Sequence, residues 1–152
     1  MRRKEKEIIE KSAIEAIITK SLVCRLALSD DNAPYIVPLS FGYKDKMLYF
    51  HGSQKGKKID IIKKNQKVCF EFDADTEIVK AEDACQWSMR YKSVIGFGKA
   101  VLLKDLDEKQ KALSIIMSQY SDRAFQFDDA ALKKAAVIKV EIESMTGKQS
   151  KL

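Results

Sequence analysis

Residues 47–72 read MLYFHGSQKGKKIDIIKKNQKVCFEF, and this stretch decides the fold. The run MLYF is typical of a β-strand, and Val68, Phe70 and Phe72 alternate as the inward side of a second strand. Between them, Ile59 and Ile62 have the spacing of the buried face of a helix over about 57–64. The stretch therefore predicts a strand, a glycine-containing loop, a helix and another strand.

The loop before this helix has the composition of an anion site. Gly52, Ser53 and Gly56 allow backbone N–H groups to come close to an anion at the helix start. That end of a helix carries a partial positive charge and unpaired donors. His51 and Ser53 add side-chain donors at the end of the strand. We therefore expect a phosphate-sized anion to bind between the strand and the helix.

Lysine dominates the same segment. Residues 51–67 contain six lysines and one acidic residue, Asp60, so their formal charge is about +5. The pattern is not a P-loop, because only three residues separate Gly52 from Gly56 and Lys58 stands where a hydroxyl is needed. On these residues alone, a solvated lysine-rich helix face after an ordinary turn explains the segment equally well.

Composition places the chain among globular proteins. It has 152 residues, of which 45% are hydrophobic and 33% charged, so we expect a single domain, 1–152, with a substantial core. Without an 18-residue apolar run or a signal-peptide pattern, the sequence predicts a cytoplasmic protein with no membrane partner. The net charge of +6 fits an anionic ligand. Aromatic residues do not interleave with the lysines, so a nucleic-acid partner is disfavoured.

Cysteine and histidine usage argues against a metal site. Cys24, Cys69 and Cys85 have no CxxC spacing, and the chain has one histidine, so the sequence predicts structural thiols and no bound metal.

The order of predicted elements is helix, hairpin strands, helix, strands, helix and strand. Antiparallel strands with interspersed helices favour an α+β fold, mainly antiparallel β, and a small barrel. The absence of GxGxxG and of βαβ alternation disfavours a Rossmann fold. The elements are a helix at 13–20 after a capping box at Ser12 and Glu15, strands at 23–29, 33–43 and 47–51, a helix at 57–64, a strand at 67–74, an irregular segment at 75–90, a strand at 92–104, helices from 107 to about 120 and at 128–134, and a strand at 136–148.

Proline and glycine mark special positions in two of these strands. Pro38 donates no ladder hydrogen bond, so its strand is expected at an edge or a bulge, with backbone groups free for a ligand. Gly96 and Gly98 predict a bulge or a close backbone approach.

Five segments, taken in order, carry a resemblance to a known family. CRLAL, PYIVPLSFGY, YFHGSQKGKK, VCFEFD and CQWSMRYKSVIGFGKA resemble the flavin-binding split-barrel proteins of the pyridoxamine 5′-phosphate oxidase-like family, and among them the 5-nitroimidazole resistance branch. The resemblance runs from about residue 20 to residue 148. It implies a six-stranded FMN-binding split β-barrel with flanking helices and a homodimer with FMN at the interface.

The resemblance also implies site residues. The flavin ring would lie along Pro38, Leu39, Ser40 and Phe41; His51, Ser53, Lys57 and Lys58 would hold the phosphate; and the second subunit would contribute Trp87, Arg90 and Tyr91. A packing role for Trp87 in a dimer core is the alternative. His51 is the catalytic candidate, since histidine can exchange protons near neutral pH, but contact with the cofactor is the favoured role.

Function follows as an expectation from the same resemblance. The chain has no counterpart of the long Arg-rich C-terminal segment of pyridoxamine 5′-phosphate oxidase, which puts that reaction in doubt. We expect an FMN-dependent oxidoreductase that passes electrons from reduced FMN to a small acceptor such as a nitroimidazole or nitroaromatic. The alternative is a flavin- or haem-binding protein without turnover.

Overall fold

A computed structural model describes residues 4–150 as one antiparallel sheet with helices packed against it. The strands are β1 Glu7–Ile8, β2 Cys24–Asp30, β3 Ala33–Leu39, β4 Gly42–Lys44, β5 Met47–Ser53, β6 Lys67–Val79, β7 Ser88–Leu102 and β8 Ala135–Ser150. The helices are α1 Lys11–Lys20, α2 Lys57–Lys64, α3 Leu106–Ser118 and α4 Asp129–Lys134, with short 3₁₀ turns at Lys4–Lys6 and Ala84–Gln86.

The strand order explains the shape of the sheet. It runs β3-β2-β6-β7-β8-β5-β4, with β1 paired to the end of β8. The two edge strands, β3 and β4, are joined by residues 40 and 41 alone, so the opposite edges of the sheet must curl towards each other. The sheet is open rather than closed. This confirms the predicted α+β split barrel with flanking helices.

The number of strands differs from the implied six. The described residues form eight, because the single strand predicted at 33–43 is divided into β3 and β4 on opposite edges, and because β1 adds two residues beside β8. Pro38 lies in β3, opposite Arg25, and the predicted edge position is confirmed.

The core lies inside the curled sheet. Alternating strand residues point into it, and α1 and α2 close it with isoleucines, as the periodicity predicted. Phe41 joins this core, with its ring centroid 4.7 Å from that of Phe72. A second cluster under α3 and α4 consists of Ala112, Leu113, Ile116, Leu132 and Val137.

Helix boundaries show where local signals succeed. The helix α2 begins and ends at the predicted residues. The capping box was wrong: α1 begins at Lys11, and Glu10 is its N-cap, so Ser12 already lies in the first turn. At α3, Asp105 is the N-cap, and its side chain accepts the Glu108 N–H at 2.9 Å.

The segment 75–90 is more regular than predicted. β6 extends to Val79 and β7 begins at Ser88, so most of it forms the end of a long hairpin, with a bulge between Ala74 and Glu77. Many of its side chains are exposed, which explains why no alternation of apolar and polar residues marked the strands.

Both predicted glycine positions are confirmed as close approaches. A Cβ atom at Gly96 would lie 2.2 Å from the Phe70 ring, and one at Gly98 would lie 2.3 Å from the Glu141 carbonyl oxygen. The pairing of β7 with β8 also shifts register between Phe97 and Gly98.

No helix in residues 4–150 combines the length and apolar character required to cross a membrane.

Candidate functional site

The start of α2 is a positively charged surface with free backbone donors. Gly56 precedes the helix with a φ of 133°, a conformation that favours glycine. The first helical bonds run from the N–H groups of Ile59 and Asp60 to the Gly56 carbonyl oxygen. Among the described residues, the N–H groups of Lys57 and Lys58 have no acceptor. These two donors are therefore available to an anion.

Lys57 and Lys58 extend to different sides of this helix end. The Lys57 ammonium lies 5.0 Å from the centre of the Tyr35 ring in β3, a cation–π contact. Lys58 is half-buried and lies over β5, where a Cβ atom at Gly52 would come 3.1 Å from its ammonium nitrogen. The absence of a side chain at Gly52 thus makes room for Lys58. The two cations flank the helix end between β3 and β5.

Ser53 adds a hydroxyl donor at the end of β5. Its hydroxyl oxygen accepts the Lys55 N–H at 3.3 Å, which leaves the hydroxyl hydrogen free to donate. Within residues 4–150, none of Lys55, Lys57 and Lys58 forms an ion pair. The positive charge at the start of α2 is therefore not neutralised by carboxylates of the described chain.

His51 lies on the same side of β5 as Ser53. Residues two apart in a strand share a face, and His51 is exposed opposite Val137 of β8. The inward neighbours Leu48 and Phe50 belong to the core. His51 is therefore accessible at the end of the strand that leads into the lysine-rich loop.

Residues 38–41 lie at the edge of the sheet and beside the α3 end. Pro38 and Ser40 are exposed, and Leu39 is half-buried. The Phe41 ring is fully buried, and the Phe41 N–H donates to the Tyr120 hydroxyl at 2.9 Å. A surface ligand can therefore meet the main chain and side chains of residues 38–40, while the Phe41 ring belongs to the core.

Trp87, Arg90 and Tyr91 lie at the far end of the sheet. Trp87 is 49% exposed, and its indole N–H donates to the Ala81 carbonyl at 2.7 Å. Arg90 forms an ion pair with Glu77 at 3.1 Å. These side chains belong to the β6–β7 hairpin.

The pairing register along β8 shows how far this hairpin lies from the start of α2. Tyr91 pairs with Ser150, whereas His51 pairs with Val137. Those two β8 positions are 13 residues apart, a separation on the order of 40 Å in an extended strand. One chain does not bring the two groups together.

Two tyrosines near the site were missing from the sequence prediction of ligand contacts. Tyr35 lies under Lys57, and Tyr120 contacts residue 41. No local pattern marks either residue, because both contacts join positions far apart in the sequence.

Within residues 4–150, neither the buried Cys24 thiol nor a cluster of acidic side chains forms a second reactive centre. Burial raises the pKa of the Cys24 thiol far above its ordinary value, which makes it a poor nucleophile. Residues 4–150 contain no group of three or more histidine, cysteine, aspartate and glutamate side chains that could hold a metal ion.

Comparison with known protein families assigns the chain to one of them. The sequence model of the pyridoxamine 5′-phosphate oxidase family matches residues 10–149. The chain belongs to this family. The match includes α1, the region around α2 and the whole β6–β7 hairpin, so every residue considered above lies within it. No curated protein sequence matches the chain significantly.

Solved structures of similar fold support the assignment to the pyridoxamine 5′-phosphate oxidase family. A candidate 5-nitroimidazole antibiotic resistance protein from Bacteroides thetaiotaomicron is 36% identical, with a TM-score of 0.86 over 94% of this chain and 86% of that one. An FAD-binding protein from Mesorhizobium loti is 25% identical, with a TM-score of 0.68 over 94% and 96%. The flavocytochrome Anf3 from Azotobacter vinelandii is 18% identical and shares the fold, with a TM-score of 0.86 over 100% and 72%.

Proposed function

We propose that this protein binds FMN, with the phosphate at the N-terminus of α2. The observation that carries the proposal is the set of unpaired donors there: two main-chain N–H groups, the Ser53 hydroxyl and the ammonium groups of Lys57 and Lys58. A phosphate has acceptor oxygens and negative charge to match them. The similarity to an FAD-binding protein of known structure supports a flavin as the carrier of that phosphate.

The ring of the flavin would lie along residues 38–40. β3 is an edge strand, so backbone groups on its outer side have no ladder partner and can bond to the polar edge of the ring. His51 would contact the cofactor from the end of β5, beside the phosphate. A proton-transfer role for His51 is the less favoured part of the proposal.

A homodimer would complete the site. Because Trp87, Arg90 and Tyr91 are distant from α2 in one chain, they can only wall a flavin bound to a second copy. An apolar row on the outside of the sheet supports such pairing. Ile36, Ala27, Cys69 and Phe97 are register neighbours across β3, β2, β6 and β7. Ile36 and Phe97 are more than half exposed in a single chain.

We further propose that the protein is an oxidoreductase with a small acceptor, such as a nitroimidazole or nitroaromatic. The support is the 36% identity to a candidate 5-nitroimidazole antibiotic resistance protein over most of both chains. A bound flavin supplies the electron chemistry, and the residues of this chain bind it, orient it and shape the acceptor pocket.

Titration of the purified protein with FMN tests the binding proposal. Quenching of FMN fluorescence that saturates at one FMN per chain is expected, and FAD and riboflavin serve as comparison ligands. A colourless protein that leaves the fluorescence of added FMN unchanged would show the proposal to be wrong. Tighter binding of FAD than of FMN would correct the choice of flavin.

Binding without turnover is the alternative function. It is favoured by the chemistry around the proposed ring position, where residues 38–41 contain no titratable side chain. Assays of the flavin-loaded protein with NADH or NADPH and a nitroaromatic separate the two functions. Turnover with NADH or NADPH supports the oxidoreductase. If neither donor gives turnover, the binding role is supported. A Soret band on addition of haem would instead indicate a haem protein.

A further inference from the structure

One hydroxyl group connects three separate parts of the chain beside the proposed ring site. Tyr120, just beyond α3, accepts the Phe41 N–H at 2.9 Å and donates to the Leu22 carbonyl at 2.9 Å. Leu22 lies between α1 and β2, and Phe41 lies between β3 and β4. The Tyr120 hydroxyl therefore holds the α3 end, the start of β2 and the link between the two sheet edges together.

The link between β3 and β4 depends on such a contact. Residues 40 and 41 belong to neither strand, so the sheet ladder does not fix them. At Gly42 the chain comes so close to α3 that a Cβ atom would lie 2.6 Å from the Ile116 backbone nitrogen. Tyr120 adds the hydrogen bond that the ladder does not supply.

The Phe41 side chain is held from the same direction. Its ring is buried and lies 4.7 Å from the Phe72 ring and 6.5 Å, edge-on, from the Tyr120 ring. Both the main chain and the ring of Phe41 are thus fixed. Because residues 38–40 immediately precede Phe41, its position sets the direction of the edge along which a flavin ring would lie.

We propose that Tyr120 is a positioning residue for the flavin ring, acting through the main chain of Phe41. The proposal rests on the proposed function. Without the hydroxyl, the Phe41 N–H loses its partner and the link can shift relative to the ring. The flavin-facing groups of residues 38–40 then no longer hold one geometry.

Gln119 offers a matched control at the neighbouring position. Its side-chain amide donates to the carbonyls of Thr19 and Ser21, both at 2.9 Å. It fastens the same α3 end to the same α1–β2 segment but forms no bond to residues 38–41. A general loosening of the α3 end is therefore expected from Gln119→Leu, and a specific effect on the link only from Tyr120→Phe.

The experiment compares wild type, Tyr120→Phe and Gln119→Leu. In Tyr120→Phe, the Kd for FMN should rise about 2- to 10-fold, as for loss of one hydrogen bond, and the visible circular dichroism of the FMN-saturated protein should change. Amide hydrogen exchange at Phe41 should also become faster in the flavin-free protein. Gln119→Leu should lower the melting temperature while its FMN affinity and visible circular dichroism match wild type.

The outcomes separate the two proposals. If Tyr120→Phe binds FMN with wild-type affinity and its FMN-saturated form has unchanged visible circular dichroism, the positioning role is overturned while the proposed function stands. Equal changes in FMN affinity for both variants would also overturn it, because they would indicate general loosening. If wild type binds no flavin, the proposed function is wrong and the positioning role fails with it.

Discussion

At the residue scale, two successive lysines define the proposed phosphate site. Lys57 and Lys58 begin the same helix, yet one contacts Tyr35 in β3 and the other lies over Gly52 in β5. Neither forms an ion pair among the described residues. Their charges therefore remain available to a ligand bound at the start of α2.

The double substitution Lys57→Ala with Lys58→Ala should weaken FMN binding and leave the fold intact. Each lost charge-assisted hydrogen bond is worth about 1.5–3 kcal/mol. Fluorescence-quenching titration measures the loss, and far-ultraviolet circular dichroism checks the fold.

Lys63→Ala with Lys64→Ala is the matched control for that pair. It removes the same charge from the last turn of the same helix, away from the helix start. Its FMN affinity should remain near that of wild type. Equal losses in the two double variants would indicate a diffuse charge effect and place the phosphate elsewhere.

A local sequence pattern points to this part of the proposed site, whereas contacts made across the fold leave no such pattern. Lys57, Lys58 and Ser53 were predicted as phosphate ligands because a glycine loop before a helix start is a local pattern. Tyr120 was not, since its partner Phe41 is 79 residues away in sequence. Such pairings depend on the fold as a whole, which no short motif records.

At the scale of elements, β7 requires a glycine where it crosses the core. The space that a side chain at Gly96 would need is occupied by the fully buried Phe70 ring of β6. The two residues are directly paired across the strands. Close packing therefore explains Gly96, and the register shift of the strand pairing lies next to Gly98.

Gly96→Ala should destabilise the protein by about 1–3 kcal/mol, the usual cost of overpacking a core. Urea unfolding measures the change. The control is Lys99→Ala, an exposed position on the same strand, which should change the free energy of unfolding by less than about 0.5 kcal/mol. Wild-type stability in Gly96→Ala would mean that the Phe70 ring moves aside easily.

The bulge in β6 carries an exposed ion-pair network. Asp75, with a φ of 54°, lies 2.8 Å from the Lys92 ammonium and 3.5 Å from that of Lys20. The hydrogen bond from Lys92, with a smaller contribution from Lys20, holds the pKa of the Asp75 carboxyl below its ordinary value of 3.8. The folded state therefore favours the ionised carboxylate.

This shift predicts how the stability effect of Asp75→Asn varies with pH. A lowered folded-state pKa contributes stability above the ordinary value of 3.8, and the contribution disappears as the pH falls through the lower folded value. Wild type should be more stable than Asp75→Asn at pH 6, and the difference should shrink below about pH 4. Urea unfolding across this range measures it.

Asp45→Asn is the control for the pH experiment. Asp45 has a similar φ of 50° but forms no ion pair among the described residues. Its substitution makes the same Asp-to-Asn change at a similar backbone conformation without removing an ion pair. The account of the network is contradicted if both variants follow the same pH dependence.

Element prediction succeeded where a buried face repeats and failed where side chains are exposed. The isoleucines of α2 marked that helix to the residue, because their spacing follows the core. The end of the β6–β7 hairpin was missed, since exposure removes the alternation that identifies strands. The division of the 33–43 segment into β3 and β4 follows from the curling of the open sheet, which brings its two edges to the ends of one segment and is a property of the whole sheet.

At the scale of the whole molecule, the proposed site needs two copies of the chain. The start of α2 and the Trp87 segment lie at opposite ends of β8. The apolar row of Ile36, Ala27, Cys69 and Phe97 crosses the outside of the sheet. A second copy pairing over this row would cover apolar surface that a single chain leaves exposed.

Phe97→Asp should shift the protein from dimer to monomer, since it puts a charge at the exposed β7 end of that row. Light scattering after size exclusion measures the mass, and the FMN titration should show weaker binding in the same variant. Ile9→Asp, at an exposed apolar residue outside the row, is the control. If Phe97→Asp keeps the wild-type mass, the apolar row is not the dimer interface.

The relative affinity of wild type for FMN and riboflavin tests the central claim most directly, because these flavins differ only in the phosphate. If the start of α2 binds that phosphate, FMN should bind at least about 100-fold more tightly, equivalent to two modest charge-assisted bonds. Saturation should occur at one FMN per chain. Equal affinities for the two flavins, or no binding of either, would contradict the account.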